Sequence, residues 1–264
     1  MTALVLRSFG RILSPFLSLA AILSGFQVAL VAMASAFAES GNFERLVSLV
    51  PAVLAPAISP ALTSFDRMLT IGYFDVLIVM LVVQWAIYVG TEPAGEIESG
   101  LVDLVLARPV PRHRLVTRTL VVMMASTLVL ALGMLAGMLL GLVMLAPVDA
   151  PWPEARLVGL MIAHLTLVAW CFGAAALAAA GWARRRASAL AVVSIAAVAL
   201  YLVDFLGLWW SPAESLARFT PFFYFHGGML LAGADDPARN LLVLGSLTLA
   251  ASLTAYARFA RRDL

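Results

Sequence analysis

Six stretches of this chain run almost free of charge over lengths that a helix needs to cross a lipid bilayer. They cover about residues 12–38, 68–91, 119–146, 157–183, 187–210 and 239–257. At 1.5 Å of rise per residue, about 20 apolar residues cross a hydrocarbon core about 30 Å thick. Backbone groups in lipid have no water to bond, so a run of this kind pairs its own amides and carbonyls as a helix. The expected fold is an all-α membrane protein with six transmembrane helices, one membrane domain over residues 1–264. The chain is 63% hydrophobic and 12% charged, about half the charge that covers a soluble domain, and no stretch is left over for a separate soluble unit.

The basic residues orient the spans. All 17 are arginine. Arg7 and Arg11 precede span one; Arg108, Arg112, Arg114 and Arg118 lie between spans two and three; Arg184, Arg185 and Arg186 separate four from five; Arg258, Arg261 and Arg262 close the chain. The alternate loops hold Arg45, Arg67, Arg156, Arg218 and Arg239 among acidic residues such as Asp66, Glu154, Asp235 and Asp236. Basic loops stay in the cytoplasm, so the chain reads N-in and C-in. Asp75 and Asp204 then fall near one interface, where neither needs burial at the midplane.

Arg7, Arg11 and Ala36-Phe37-Ala38 imitate a secretory signal, but the apolar run from Ile12 to Ala34 is too long for a signal core of about 7–15 residues. It reads as a retained first span. Residues 1–11 then form a short interfacial helix or a frayed end, and the loop 39–67 carries Phe43, Leu46, Val47, Leu49 and Val50 in an amphipathic pattern. The absence of lysine excludes a G-x-x-x-x-G-K-[ST] phosphate loop, so ATP-driven work requires a partner subunit. Cys171 alone can form neither an internal disulfide nor a thiolate metal site.

The segment between spans two and three is the most informative. Pro93 suits a first helical turn, and Ile97, Leu101, Leu104 and Val105 then recur on one face, with Glu96 and Asp103 on another. Pro109 and Pro111 end that helix in a stiff turn. A helix too short to span, with one oily face and charge of both signs, is a surface to be gripped rather than a plain solvated loop.

The run from Glu96 through Ile97, Glu98, Gly100, Leu101, Ala107, Arg108, Pro109 and Val110 to Arg112 resembles the cytoplasmic signature of ABC-2 type transporter permeases, roughly E-x-E-x-G-T-x-x-x-L-L-A-x-P-V-x-R. Leu101 stands where threonine is usual. Phe219-Thr220-Pro221-Phe222-Phe223-Tyr224 is similar to the family's S-P-x-x-Y stretch, and Phe259-Ala260-Arg261-Arg262-Asp263-Leu264 to its F-x-R-R-D-L ending. The resemblance implies a permease in the cell's inner (cytoplasmic) membrane that pairs with a second permease copy, as homodimer or heterodimer, and binds ABC ATPase subunits through the loop between spans two and three. It implies that Glu96, Glu98, Gly100, Arg108, Pro109 and Arg112 form the transmission surface. It also implies that the proline- and aromatic-rich segment 211–238 re-enters the outer leaflet as a gate, and that span two, with Gln84 and Tyr88 on one face, borders the transport path.

Gln84 and Tyr88 also read as a satisfied polar pair in the bundle. Gly133, Gly137 and Gly141 form G-x-x-x-G-x-x-x-G on span three, for close helix packing within one subunit or at a dimer seam. His164 is a lone histidine, and Met123, Met124, Met134 and Met138 read as apolar filler rather than metal ligands. No cofactor, metal or nucleic acid is expected. The functional expectation is an ABC exporter permease, itself not an enzyme, moving an amphipathic or lipid-like substrate outward. The rivals are a membrane-embedded enzyme, for which paired catalytic groups and the G-x-S-x-G and H-E-x-x-H patterns are missing, and an autonomous secondary transporter, for which inverted repeats and midplane charges are missing.

Overall fold

A computed structural model describes residues 2–40, 48, 50–51, 59–99, 113–233 and 236–261. Those residues form helices and connecting turns, with no strand among them. Six helices are long and apolar enough to cross a membrane: Ile12–Ser40, Phe65–Glu98, His113–Leu145, Ala155–Ala180, Arg186–Gly207 and Pro237–Arg261. Each overlaps a run expected from the sequence. The chain is thus an all-α, six-span bundle.

The elements in chain order are α1 (Thr2–Ser40), α2 (Phe65–Met68), α3 (Ile71–Phe74), α4 (Val76–Gly90), α5 (Glu92–Glu98), α6 (His113–Leu145), α7 (Ala155–Ala180), α8 (Arg186–Gly207), α9 (Ser211–Ala217), α10 (Gly227–Ala232) and α11 (Pro237–Arg261). Two departures from expectation matter. First, α1 is one continuous helix from Thr2 to Ser40, with no separate interfacial helix before the span; Pro15 removes one backbone bond without ending it. Second, span two is broken at its start and extended at its end. Asp75 adopts ψ 134°, and its carboxylate accepts the Leu77 and Ile78 amides, so it caps α4 in place of continuing α3. At the other end Thr91 keeps helical angles, its amide donates to the Ile87 carbonyl, and the chain turns on into α5. The amphipathic stretch expected within 39–67 lies largely outside the described residues.

α7 is the centre of the bundle, packed against α4, α6, α8 and α11. Its small residues allow close approach: a side chain at Gly173 would strike Met123 of α6 and Ala86 of α4. α11 lies on α7 through a stripe of Asn240, Leu244, Thr248, Ser252, Ala255 and Phe259, recurring every three or four residues. α1 lies along α6, where the Ser24 hydroxyl donates to the Gly133 carbonyl at 2.9 Å. Gly137 and Gly141 continue that seam. A Cβ at Gly137 would sit 2.9 Å from the Ser24 Cα, and one at Gly141 would sit 2.8 Å from Val31 Cγ2. The glycine repeat therefore packs two helices of one chain.

The bundle has two distinct ends. At the basic end, the Arg258 guanidinium stacks 3.9 Å over the Trp182 ring, and the Thr117 and Tyr256 hydroxyls share a 2.7 Å hydrogen bond. At the far end the connection from α8 to α11 does not pass over the bundle but folds back between its helices. Phe222 stacks on Phe172 of α7 at 5.1 Å and meets Tyr201 of α8 edge-on at 5.5 Å. Phe172 lies about 25 Å along α7 from its first residue at 1.5 Å per residue. Gly227 starts α10 directly against the Phe74 ring, where no side chain fits.

Candidate functional site

The segment singled out by its sequence motif begins where α4 passes into α5 at the basic end. Glu92 and Glu96 are four residues apart, so they share one helix face, and that face turns inward. Glu96 is 4% exposed. It forms a two-pronged ion pair with Arg118 of α6, itself 2% exposed, with Nη2 donating to Oε2 at 2.8 Å and Nη1 to Oε1 at 3.2 Å. The planar guanidinium matches the carboxylate in both position and angle. A buried pair of this kind adds little net stability, yet removing one partner costs about 3–5 kcal/mol because the other charge stays buried. The pair therefore locks the angle between α5 and α6.

Glu98 does something different. Its carboxylate is exposed and accepts the backbone amide of Arg186 at 2.9 Å, at the first residue of α8. A negative charge there satisfies one of the free amides of a helix start and complements the helix dipole. The Arg186 side chain completes the tie in the opposite direction. Its Nη2 donates to the Tyr88 carbonyl at 2.9 Å, and its guanidinium lies 4.3 Å over the Tyr88 ring. Between these groups a pocket of about 160 Å³ opens at the surface, lined by Ile12, Tyr88, Glu92, Gly95, Glu96, Ser99 and Arg186.

Of the residues assigned to a transmission surface, Glu98 is exposed and Glu96 is inside the bundle. Gly100, Arg108, Pro109 and Arg112 lie outside the described residues. Gln84 and Tyr88 are half-buried and bonded. The Ser194 hydroxyl of α8 donates to Gln84 Oε1 at 2.6 Å, so both residues join α4 to α8. His164 is fully buried, its Nδ1 2.7 Å from the Leu160 carbonyl of its own helix and its ring stacked on Phe225 at 5.9 Å. No group of three or more His, Cys, Asp or Glu side chains that could hold a metal occurs among the described residues.

Sequence reasoning missed Arg118, Arg186 and Ser194 as partners. Arg118 and Arg186 entered only as topological charges. Their partners lie 22 and 88 residues away for the side-chain and backbone contacts with Glu96 and Glu98, beyond any local pattern. What the arrangement offers is a set of ties between helices. It ties α5 to α6 through Glu96–Arg118, and α5 to α8 through the Glu98 contact with the Arg186 amide. Neither protein-family models nor curated proteins give a match to this chain.

Proposed function

We propose that this chain is the permease subunit of an ATP-driven exporter of the ABC-2 type, working with separate ATPase subunits and a second permease copy in the inner membrane. The observation that carries the reading is the motif from Glu96 to Arg112, and its first residues fall on a helix tied to two different spans. In this reading the basic end faces the cytoplasm, as the arginine bias requires. An ATPase gripping the motif would tilt α5, and the ties to α6 and α8 would carry the tilt into the membrane. Gln84 and Tyr88 then hold α4 to α8 beside the transport path, and the folded-back aromatic segment closes the far side.

Chemistry within the chain agrees with a separate ATPase, since no lysine is present to bind phosphate in a Walker loop. The expected outcome is that the chain, isolated from its own membranes in mild detergent, brings a nucleotide-binding subunit with it, and that the chain expressed alone hydrolyses no ATP. Robust hydrolysis by a single-component preparation, or transport driven by an ion gradient without nucleotide, overturns the reading.

A further inference from the structure

The far end contains a contact that the exporter reading does not use. His226 caps the start of α10 in the folded-back segment, and its Nε2 lies 2.9 Å from Oδ2 of Asp204, in the last turn of α8. The Asp204 side chain is 6% exposed and the imidazole 17%. The other carboxylate oxygen, Oδ1, is buried with no hydrogen-bond partner among the described residues. A buried carboxylate normally gathers several donors, so this one depends on His226.

The ring contacts that hold the segment among the described residues are apolar or neutral. Phe222 packs on Phe172 and Tyr201, Phe225 on His164, and the Phe223 ring on His226 itself at 5.7 Å. Among the described residues, the remaining titratable groups around the pair are few. Tyr201, one turn back on α8, lies within electrostatic reach of both Asp204 and Asp75, the cap of α4. Tyr73 of α3 is buried, and His164 of α7 stands behind the Phe225 ring. Glu214 and Arg218 of α9 pair with each other at 2.8 Å on the exposed surface, and the Tyr224 hydroxyl donates to the Arg218 carbonyl. At the start of α11, Asp236 and Arg239 are exposed. No fixed cation among the described residues is paired with Asp204, so His226 is the group placed to compensate it.

From this geometry we infer that His226 and Asp204 form a proton-binding site that latches the folded-back segment into the bundle. With the imidazole protonated the contact is an ion pair, and the buried carboxylate is compensated. As pH rises and the proton leaves, one neutral donor remains, with a second carboxylate, Asp75, close to the same tyrosine. A charge-assisted bond becomes an ordinary one, and a buried charge loses its counter-charge. The segment is held more tightly with the proton on His226 than without it. At pH low enough to protonate Asp204 as well, the ion pair is lost again.

The test follows opening of the segment by thiol labelling. Cys171 is replaced by alanine, a single cysteine is placed at buried Leu231 of α10, and a second protein carries it at exposed Ser215. Both full chains are reconstituted in nanodiscs, where reagent reaches either face, so the outcome does not depend on orientation or on any ATPase. The rate at Leu231→Cys divided by that at Ser215→Cys removes the pH dependence of the thiol reaction. The ratio is expected to rise about fivefold from pH about 5.5 to about 8.5, reflecting the difference between a charge-assisted and a neutral hydrogen bond. In His226→Gln, and separately in Asp204→Asn, it is expected to be flat and high. A flat ratio with the native pair intact overturns the inference without recourse to any variant of the pair. A slope that persists in both variants overturns it as well.

Discussion

Glu96 and Glu98 stand two residues apart on one helix and meet opposite environments. Glu96 is enclosed with Arg118, and Glu98 reaches across open surface to the first amide of α8. In sequence the two are equivalent, a pair of glutamates in an E-x-E motif, and both were expected on one contact surface. The difference comes from helical geometry: a step of two residues turns a side chain by about 200° at 3.6 residues per turn, so one glutamate of such a pair faces the bundle when the other faces away. Replacing Glu96 by glutamine leaves Arg118 buried without its counter-charge, with an expected loss of about 3–5 kcal/mol. Thermal unfolding in detergent measures it. The double replacement Glu96→Leu with Arg118→Met is expected to recover most of that loss, since apolar substitutes for a buried pair are close to neutral. Unchanged melting in Glu96→Gln would show that the pair does not bear on the fold. A charge reversal meant to probe partner binding therefore belongs at Glu98, because at Glu96 it would disturb the bundle first.

At the scale of the helix, the apolar runs located every span, and their ends moved for identifiable reasons. Span two starts later as a regular helix than its hydropathy indicates because Asp75 takes the Leu77 and Ile78 amides. Past its end at Gly90 the chain runs on into α5, where Pro93 in the first turn needs no amide partner. The glycine repeat of α6 left two seams open, one within the chain and one between copies, since a small-residue stripe names no partner. The contact with Ser24, Val28 and Val31 of α1 decides for the first. The three glycines are unequal in consequence. A methyl group at Gly137 would press on the α1 backbone, whereas at Gly133 it would stand 3.4 Å from the Ser24 hydroxyl. Gly137→Ala is expected to cost about 1–3 kcal/mol, in the range of overpacked cores, and Gly133→Ala much less. Equal melting temperatures for the two variants would refute the close seam.

For the whole molecule, a basic end is separated from an aromatic end, and the arginine bias predicts that the basic end faces the cytoplasm. Ser99 is exposed at the first and Ser215 at the second. With Cys171 removed, single cysteines at these positions are expected to react with an impermeant reagent from opposite sides of sealed vesicles, Ser99 from the cytoplasmic side. Reaction from one side for both would break the six-span reading of the chain. The number of spans, their helical form and the gathering of arginine at alternate loops were legible in the sequence, because each follows from how many apolar residues lie in a row and where charge interrupts them. The motif from Glu96 to Arg112 was legible as a motif. Its mechanical setting was not: which glutamate turns inward, that Arg118 and Arg186 receive the pair, that Gln84 meets Ser194, and that His226 closes on Asp204 all depend on which helices lie side by side. Hydropathy is a property of one segment at a time and fixes each helix against lipid. The order of helices around α7 is set by matched shapes and buried charges drawn from segments far apart in the chain, and only the packed bundle decides it.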